Sequence, residues 1–275
     1  MLEISEYKNL RCGSVDSRIR FESDGWMRYL AIDGARAYHL GGSCQTCGFL
    51  FQRLDGANKR VELQETVAKL RDGVNSLDED VVSVLSRGLP EDDYSVMLAT
   101  GHVTQVTPGK ANDYFTEEQI ALWGEDNFWC LPHDPRIAYF RAGDQDMGAG
   151  RRLFHFIVPM FPSEWLKMGA VGEYVKSLTE KASGTAVCIA TLEVRAPAEW
   201  TGEEPPDPSE HWCLTHYLLD GHHKLHAADK SRKPVSLLSF ITWSESMASR
   251  EQIAEVLSFM QADAVNSRKI EEFPK

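Results

Sequence analysis

A chain of 275 residues is long enough for one large domain or two ordinary ones, and its content of 43% hydrophobic and 25% charged residues is that of a globular protein. Forty-one acidic against 29 basic residues give a formal charge of −12. That charge repels DNA and anionic lipid unless basic residues gather in one patch, and the densest basic clusters, Arg151-Arg152 and Lys230-Ser231-Arg232-Lys233, are short enough to read as solvated turns.

In chain order, WMRYLAIDGARAYHL (26–40) predicts two short strands around Asp33-Gly34, a strong hairpin signal. Gly41-Gly42-Ser43 then leads into Cys44-Gln45-Thr46-Cys47. Residues 62–71 have a helical pattern closed by Gly73, and residues 78–87 form a second helix stopped by Gly88 and Pro90. YSVMLATGHVTQVT (94–107) alternates like a strand or a strand pair, and Thr116 opens a short helix running to about Gly124. Two strands are expected within 136–161, joined by a turn at DQDMGAG. Residues 163–182 read as a helix and TAVCIATLEV (185–194) as a buried strand, while 196–211, rich in proline and acids, reads as an exposed loop. A strand at 213–219, a helix at 222–231 and a strand at 234–243 follow. The tail from Ser249 is helical, with Ile253, Val256, Leu257 and Met260 at helix spacing.

These elements predict an α+β chain: a β-rich N-terminal module over 1–150, then an α/β module over 151–275. The alternative is one continuous domain with the first half wrapped around the second. No apolar run reaches the roughly 18–20 residues that span a bilayer. The start, MLEISEYKNL, has neither the basic end nor the apolar core of a signal peptide. The six cysteines are spread along the chain rather than packed into a framework. Together these point to a reducing, cytoplasmic setting, with cysteines as thiols or metal ligands.

Two constellations carry chemistry. Cys44 and Cys47 have the spacing of a zinc-chelating pair, and Cys130-x-x-His133 would complete a tetrahedral structural zinc site. Cys12, His39 and Cys213 are alternative ligands, and a redox pair is the other reading of Cys44 and Cys47, although the usual βαβ setting is missing. Cys188, inside an apolar run, reads as core, and the tryptophans at 123, 129, 165, 200, 212 and 243 read as packing. The second constellation is Asp220-Gly221-His222-His223-Lys224, an acid, two imidazoles and an amine between a strand and a helix. A helix start attracts anions, and histidine exchanges protons near neutral pH. His222 and His223 are candidates for acid–base work, with Asp220 orienting one of them or capping the helix. Gly221 and Lys224 are candidates for ligand binding. His226 is expected at the helix surface, and Glu164 and Glu173 are candidate carboxylate bases.

The run Asp-Gly-His-His-Lys-x-x-Ala-Ala, from Asp220 to Ala228, resembles the ParB-like, sulfiredoxin-related superfamily, whose members carry Asp-Gly-His-His-Arg or a close variant between a strand and a helix. The resemblance covers about residues 155–245, including a helix around 173–178 before the strand pair and a strand at 234–243 after the motif. It implies a pocket at the motif for a nucleotide or another small anionic ligand, with magnesium where the ligand is a nucleotide. The superfamily includes CTP-binding partition proteins, a kinase acting on free serine, nuclease-like members and sulfiredoxins. Lys224 stands where arginine is usual, exchanging a bidentate fork for a point charge. His222 stands where sulfiredoxins have cysteine, and the arginine-rich motif of partition proteins is absent. Neither peroxiredoxin repair nor centromere binding is therefore expected. Two functions follow: a small-molecule phosphotransferase or nucleotide hydrolase, or a non-enzymatic regulatory or interaction protein that retains the fold.

Overall fold

A computed structural model describes residues 2–44, 48–59, 73–180, 184–197 and 209–271. The strands are β1 (Leu2–Cys12), β2 (Ile19–Asp24), β3 (Met27–Ile32), β4 (Ala35–Gly42), β5 (Gln52–Arg53), β6 (Asp92–Gly101), β7 (Thr104–Val106), β8 (Tyr139–Gly148), β9 (Arg151–Pro159), β10 (Thr185–Arg195), β11 (Glu210–Asp220) and β12 (Val235–Thr242). The helices are α1 (Glu79–Ser86), α2 (Glu118–Trp123), α3 (Met168–Glu180), α4 (His222–Ser231) and α5 (Arg250–Glu271). The helix expected at 62–71 lies outside the described residues. No helix among the described residues is long and apolar enough to cross a membrane.

The architecture is mixed αβ. Eight strands form one sheet in the order β1-β6-β12-β10-β11-β9-β8-β7, and four form a smaller antiparallel sheet, β2-β3-β4-β5. In the large sheet, β10 runs parallel to β12 and β9 parallel to β11, and its other pairs are antiparallel. The sheet draws β1, β6, β7 and β8 from before residue 150 and β9 to β12 from after it. The boundary expected there falls in the turn between the paired strands β8 and β9.

Burial explains the strand patterns. Every residue of β10 is buried, because its strand is covered on both faces. One face of the large sheet packs Phe154, Phe156, Ile189 and Tyr217 against Leu30, Tyr38, Phe49 and Phe51 from the smaller sheet and the chain beside it. The other face packs Leu214 and Leu218 under Leu225 and Ala228 of α4 and under Ile253, Val256, Leu257 and Met260 of α5. The β3–β4 turn puts both Asp33 (φ 50°) and Gly34 (φ 70°) in the left-handed region, as a tight two-residue hairpin requires.

Two buried polar groups interrupt these cores. Between the sheets, Glu193 of β10 accepts from Arg28 of β3 at 2.8 Å and from Arg195 at 2.7 Å. Under the helices, His155 and His216 lie nearly parallel with ring centroids 6.3 Å apart, both with no exposed surface. His216 Nδ1 lies 2.7 Å from the Ser239 hydroxyl and His155 Nε2 lies 3.1 Å from Gln145 Oε1, leaving His216 Nε2 and His155 Nδ1 without a hydrogen-bond partner among the described residues.

Candidate functional site

The sequence motif sits at the end of β11. Asp220 is the last strand residue, Gly221 makes the turn, and α4 begins at His222. The φ of Gly221 is +104°, and a Cβ there would stand 2.6 Å from the Ala186 side chain, so glycine alone fits both the backbone and the space. The connectivity around it is helix α3, the antiparallel pair β10–β11, helix α4, then β12 beside and parallel to β10.

Each side chain of the motif has a defined partner. His222 is buried, accepts the Met160 N–H at Nε2 (3.0 Å), and stacks on Phe161 with ring centroids 3.7 Å apart. His223 is partly exposed and accepts the Lys167 N–H at Nε2 (3.1 Å). Both ends of segment 160–167 are therefore hydrogen-bonded to adjacent imidazoles at the start of α4. Lys224 is buried; its ammonium donates to the Thr185 carbonyl (2.8 Å) and lies 3.5 Å from Asp220 Oδ2, whose side chain is 37% exposed. Burial pushes the His223 pKa down and Lys167 pushes it the same way, while Asp220 opposes them.

An imidazole that accepts a backbone N–H is in its neutral form at that nitrogen. Protonation turns the acceptor into a donor, which cannot hold the same N–H. His223 can thus take two forms: neutral, gripping the Lys167 N–H, and protonated, offering an N–H group beside a helix start whose dipole favours negative charge.

The other sequence candidates fall elsewhere. His226 is buried edge-on against Phe140, not at the helix surface, because that side of α4 faces the sheet. Glu164 and Glu173 are exposed. Cys12 is half-buried, its thiol pushed up to about 11 by burial. Cys188 is core, as expected, and Cys213 is buried within hydrogen-bond range of the Tyr114 hydroxyl. Cys130 and His133 line one cleft together with His39 and Gly48. Cys44 accepts a hydrogen bond from Arg195 through its carbonyl, and Cys47 lies outside the described residues. Among the described residues, no group of three or more His, Cys, Asp and Glu side chains is gathered so as to hold a metal.

Sequence reasoning did not find segment 160–167. Its contribution to the site is made by the backbone amides of Met160 and Lys167, which leave no mark on residue type; only its place between β9 and α3 pointed there. No family model, curated protein or solved structure matches the chain.

Proposed function

We propose that the chain is a non-enzymatic binding protein with a ParB-like core, which takes a small anionic ligand, a nucleotide or phosphate, at the Gly221 end of α4. The observation that supports this reading is the grip of His222 and His223 on the two ends of segment 160–167. An anion at the helix start stabilises protonated imidazole, and protonated imidazole releases the segment. Binding, proton uptake and opening of the site are then one event. Catalysis is the weaker reading because both Nε2 lone pairs that would take a substrate proton are already engaged. One observation favours the enzyme alternative, a phosphotransferase or nucleotide hydrolase: the part-exposed Asp220 carboxylate at the same mouth, where a magnesium-bound nucleotide would find a ligand.

A thermal-shift series with inorganic phosphate, ADP, ATP and CTP, each with and without magnesium, tests both. A ligand at a hundred times its Kd stabilises by about 2.7 kcal/mol. His223→Ala is expected to abolish the shift while leaving the ligand-free Tm nearly unchanged, because the ring is partly exposed. Binding to the wild type is expected to tighten as pH falls below the ordinary histidine range, by up to about ten-fold per pH unit for one coupled proton. His223→Gln keeps an acceptor for Lys167 but no titrating group at that position, and loses the part of the dependence that His223 carries. Absence of any shift, or a shift indifferent to His223, contradicts the reading; a shift that requires magnesium and comes with turnover moves it to the enzyme.

We also propose structural zinc at Cys44, Cys47, Cys130 and His133. Gly48, the residue after Cys47, packs so closely on His133 that a Cβ would stand 2.8 Å from its ring. His133 Nδ1 lies 2.9 Å from the Phe49 carbonyl, a contact of the kind that orients a metal-bound imidazole. Elemental analysis of untagged protein is expected to find about one zinc per chain. Metal-free protein whose melting is unchanged by chelators contradicts it.

A further inference from the structure

The cleft between the β3–β4 hairpin and the loop 126–136 has a volume of about 590 Å³, inside the range of small-molecule sites. Its lining includes Trp26, His39, Gly48, Trp129, Cys130 and His133. Two features mark it as built rather than incidental.

The first is that its aromatic rings are held out in water. Trp26 is 51% exposed and Trp129 48%, and neighbouring Phe128 reaches 82%. Exposed aromatic surface carries a solvation cost, and a flexible loop would turn such rings inward. This loop is not free to do so. Asp126 Oδ1 accepts the N–H groups of both Phe128 (2.7 Å) and Trp129 (3.1 Å), and Asp126 and Leu131 exchange backbone hydrogen bonds of 3.2 and 2.8 Å. Phe128 and Trp129 brace each other edge to face, with ring centroids 4.9 Å apart. Trp26 lies so close to Gly42 that a Cβ there would stand 2.4 Å from the indole.

The second is the polar complement. His39 stacks on Tyr29 with Nε2 3.1 Å from the Met27 sulfur, and His133 is fixed against Gly48 and the Phe49 carbonyl. The charged side chains on the lining, Asp134 and Arg136, are exposed and opposite in sign, so the cleft presents no uncompensated charge. Gly41, Gly42 and Gly48 add no side chains to fill it.

We propose that this cleft is a second binding site, independent of the anion reading at α4, and that it takes a planar, uncharged heteroaromatic molecule against Trp26 and Trp129. Indole and quinoline are the probes, titrated by ligand-detected NMR. Rings of this size are expected to bind with a Kd of about 1 mM or tighter. Trp129→Ala and Trp26→Ala, both at exposed rings, are each expected to weaken binding by about ten-fold or more with little change in melting temperature, and inorganic phosphate is expected not to compete. Failure of both probes to bind at about ten times that concentration overturns the proposal. So does binding that neither variant weakens, or binding that phosphate displaces.

Discussion

Replacing Glu193 by alanine is expected to destabilise the fold by about 3–5 kcal/mol, the usual cost of removing one member of a buried ion pair. At a chain length above 250 residues this lowers Tm by roughly 10 °C. The reason is position as well as charge. Arg28 belongs to the smaller sheet and Glu193 and Arg195 to the large one, so one carboxylate, 2% exposed, links the two layers. Without it two guanidinium groups stay in the interior facing each other's charge. Arg28 also donates to the carbonyls of Glu245 and Leu40, which hold it in place after the carboxylate is gone. Chemical denaturation of Glu193→Ala and Glu193→Gln checks this; a loss under about 1 kcal/mol in the alanine variant contradicts it.

Stability is also expected to fall steeply in acid. Burial pushes the His216 pKa down to about 3, and burial and the nearby His216 push His155 well below its ordinary value. The unfolded chain binds protons at these residues below about pH 6.5, and the folded chain refuses them until far lower. Stability is therefore fully present above the unfolded pKa and is lost as pH falls from about 6.5 toward 3. Each such imidazole contributes up to about 1.4 kcal/mol per pH unit, or about 2 kcal/mol by pH 5. His216→Gln keeps a partner for Ser239 and removes the titration, so it should recover about 2 kcal/mol of the loss between pH 7 and pH 5. Parallel pH profiles for variant and wild type contradict the assignment.

What the sequence disclosed follows from which interactions are local. Asp33-Gly34 demanded two left-handed residues and so marked its hairpin. The change from strand to helix periodicity at Gly221 located β11, α4 and β12. By contrast, β1 was not recognised. It is a sheet edge on which only Leu2 and Ile4 are buried, so LEISEYKNLRC carries little alternation. Its pairing with β6, Leu2 opposite Gly101, is a contact between distant parts of the chain. Trp129 read as packing because its neighbours are apolar, yet the hydrogen bonds to Asp126 hold it outward. At the motif, residue types and location were legible, but not the inward turn of Lys224 or the grip of both histidines on segment 160–167. Those depend on where backbone amides from another part of the chain arrive.

The proposed coupling of anion binding to release of segment 160–167 is read most directly at the Lys167 amide hydrogen. Exchange of that hydrogen is to be followed by NMR at constant pH, before and after saturation with ADP or inorganic phosphate, with Ile189 of β10 as an internal reference. Ligand is expected to speed exchange at Lys167 by about ten-fold or more as its bond to His223 is lost, while the His223 ring shifts toward the protonated form and Ile189 stays protected. Saturation that leaves Lys167 protected and His223 neutral would contradict the proposal, as would a failure of either anion to bind.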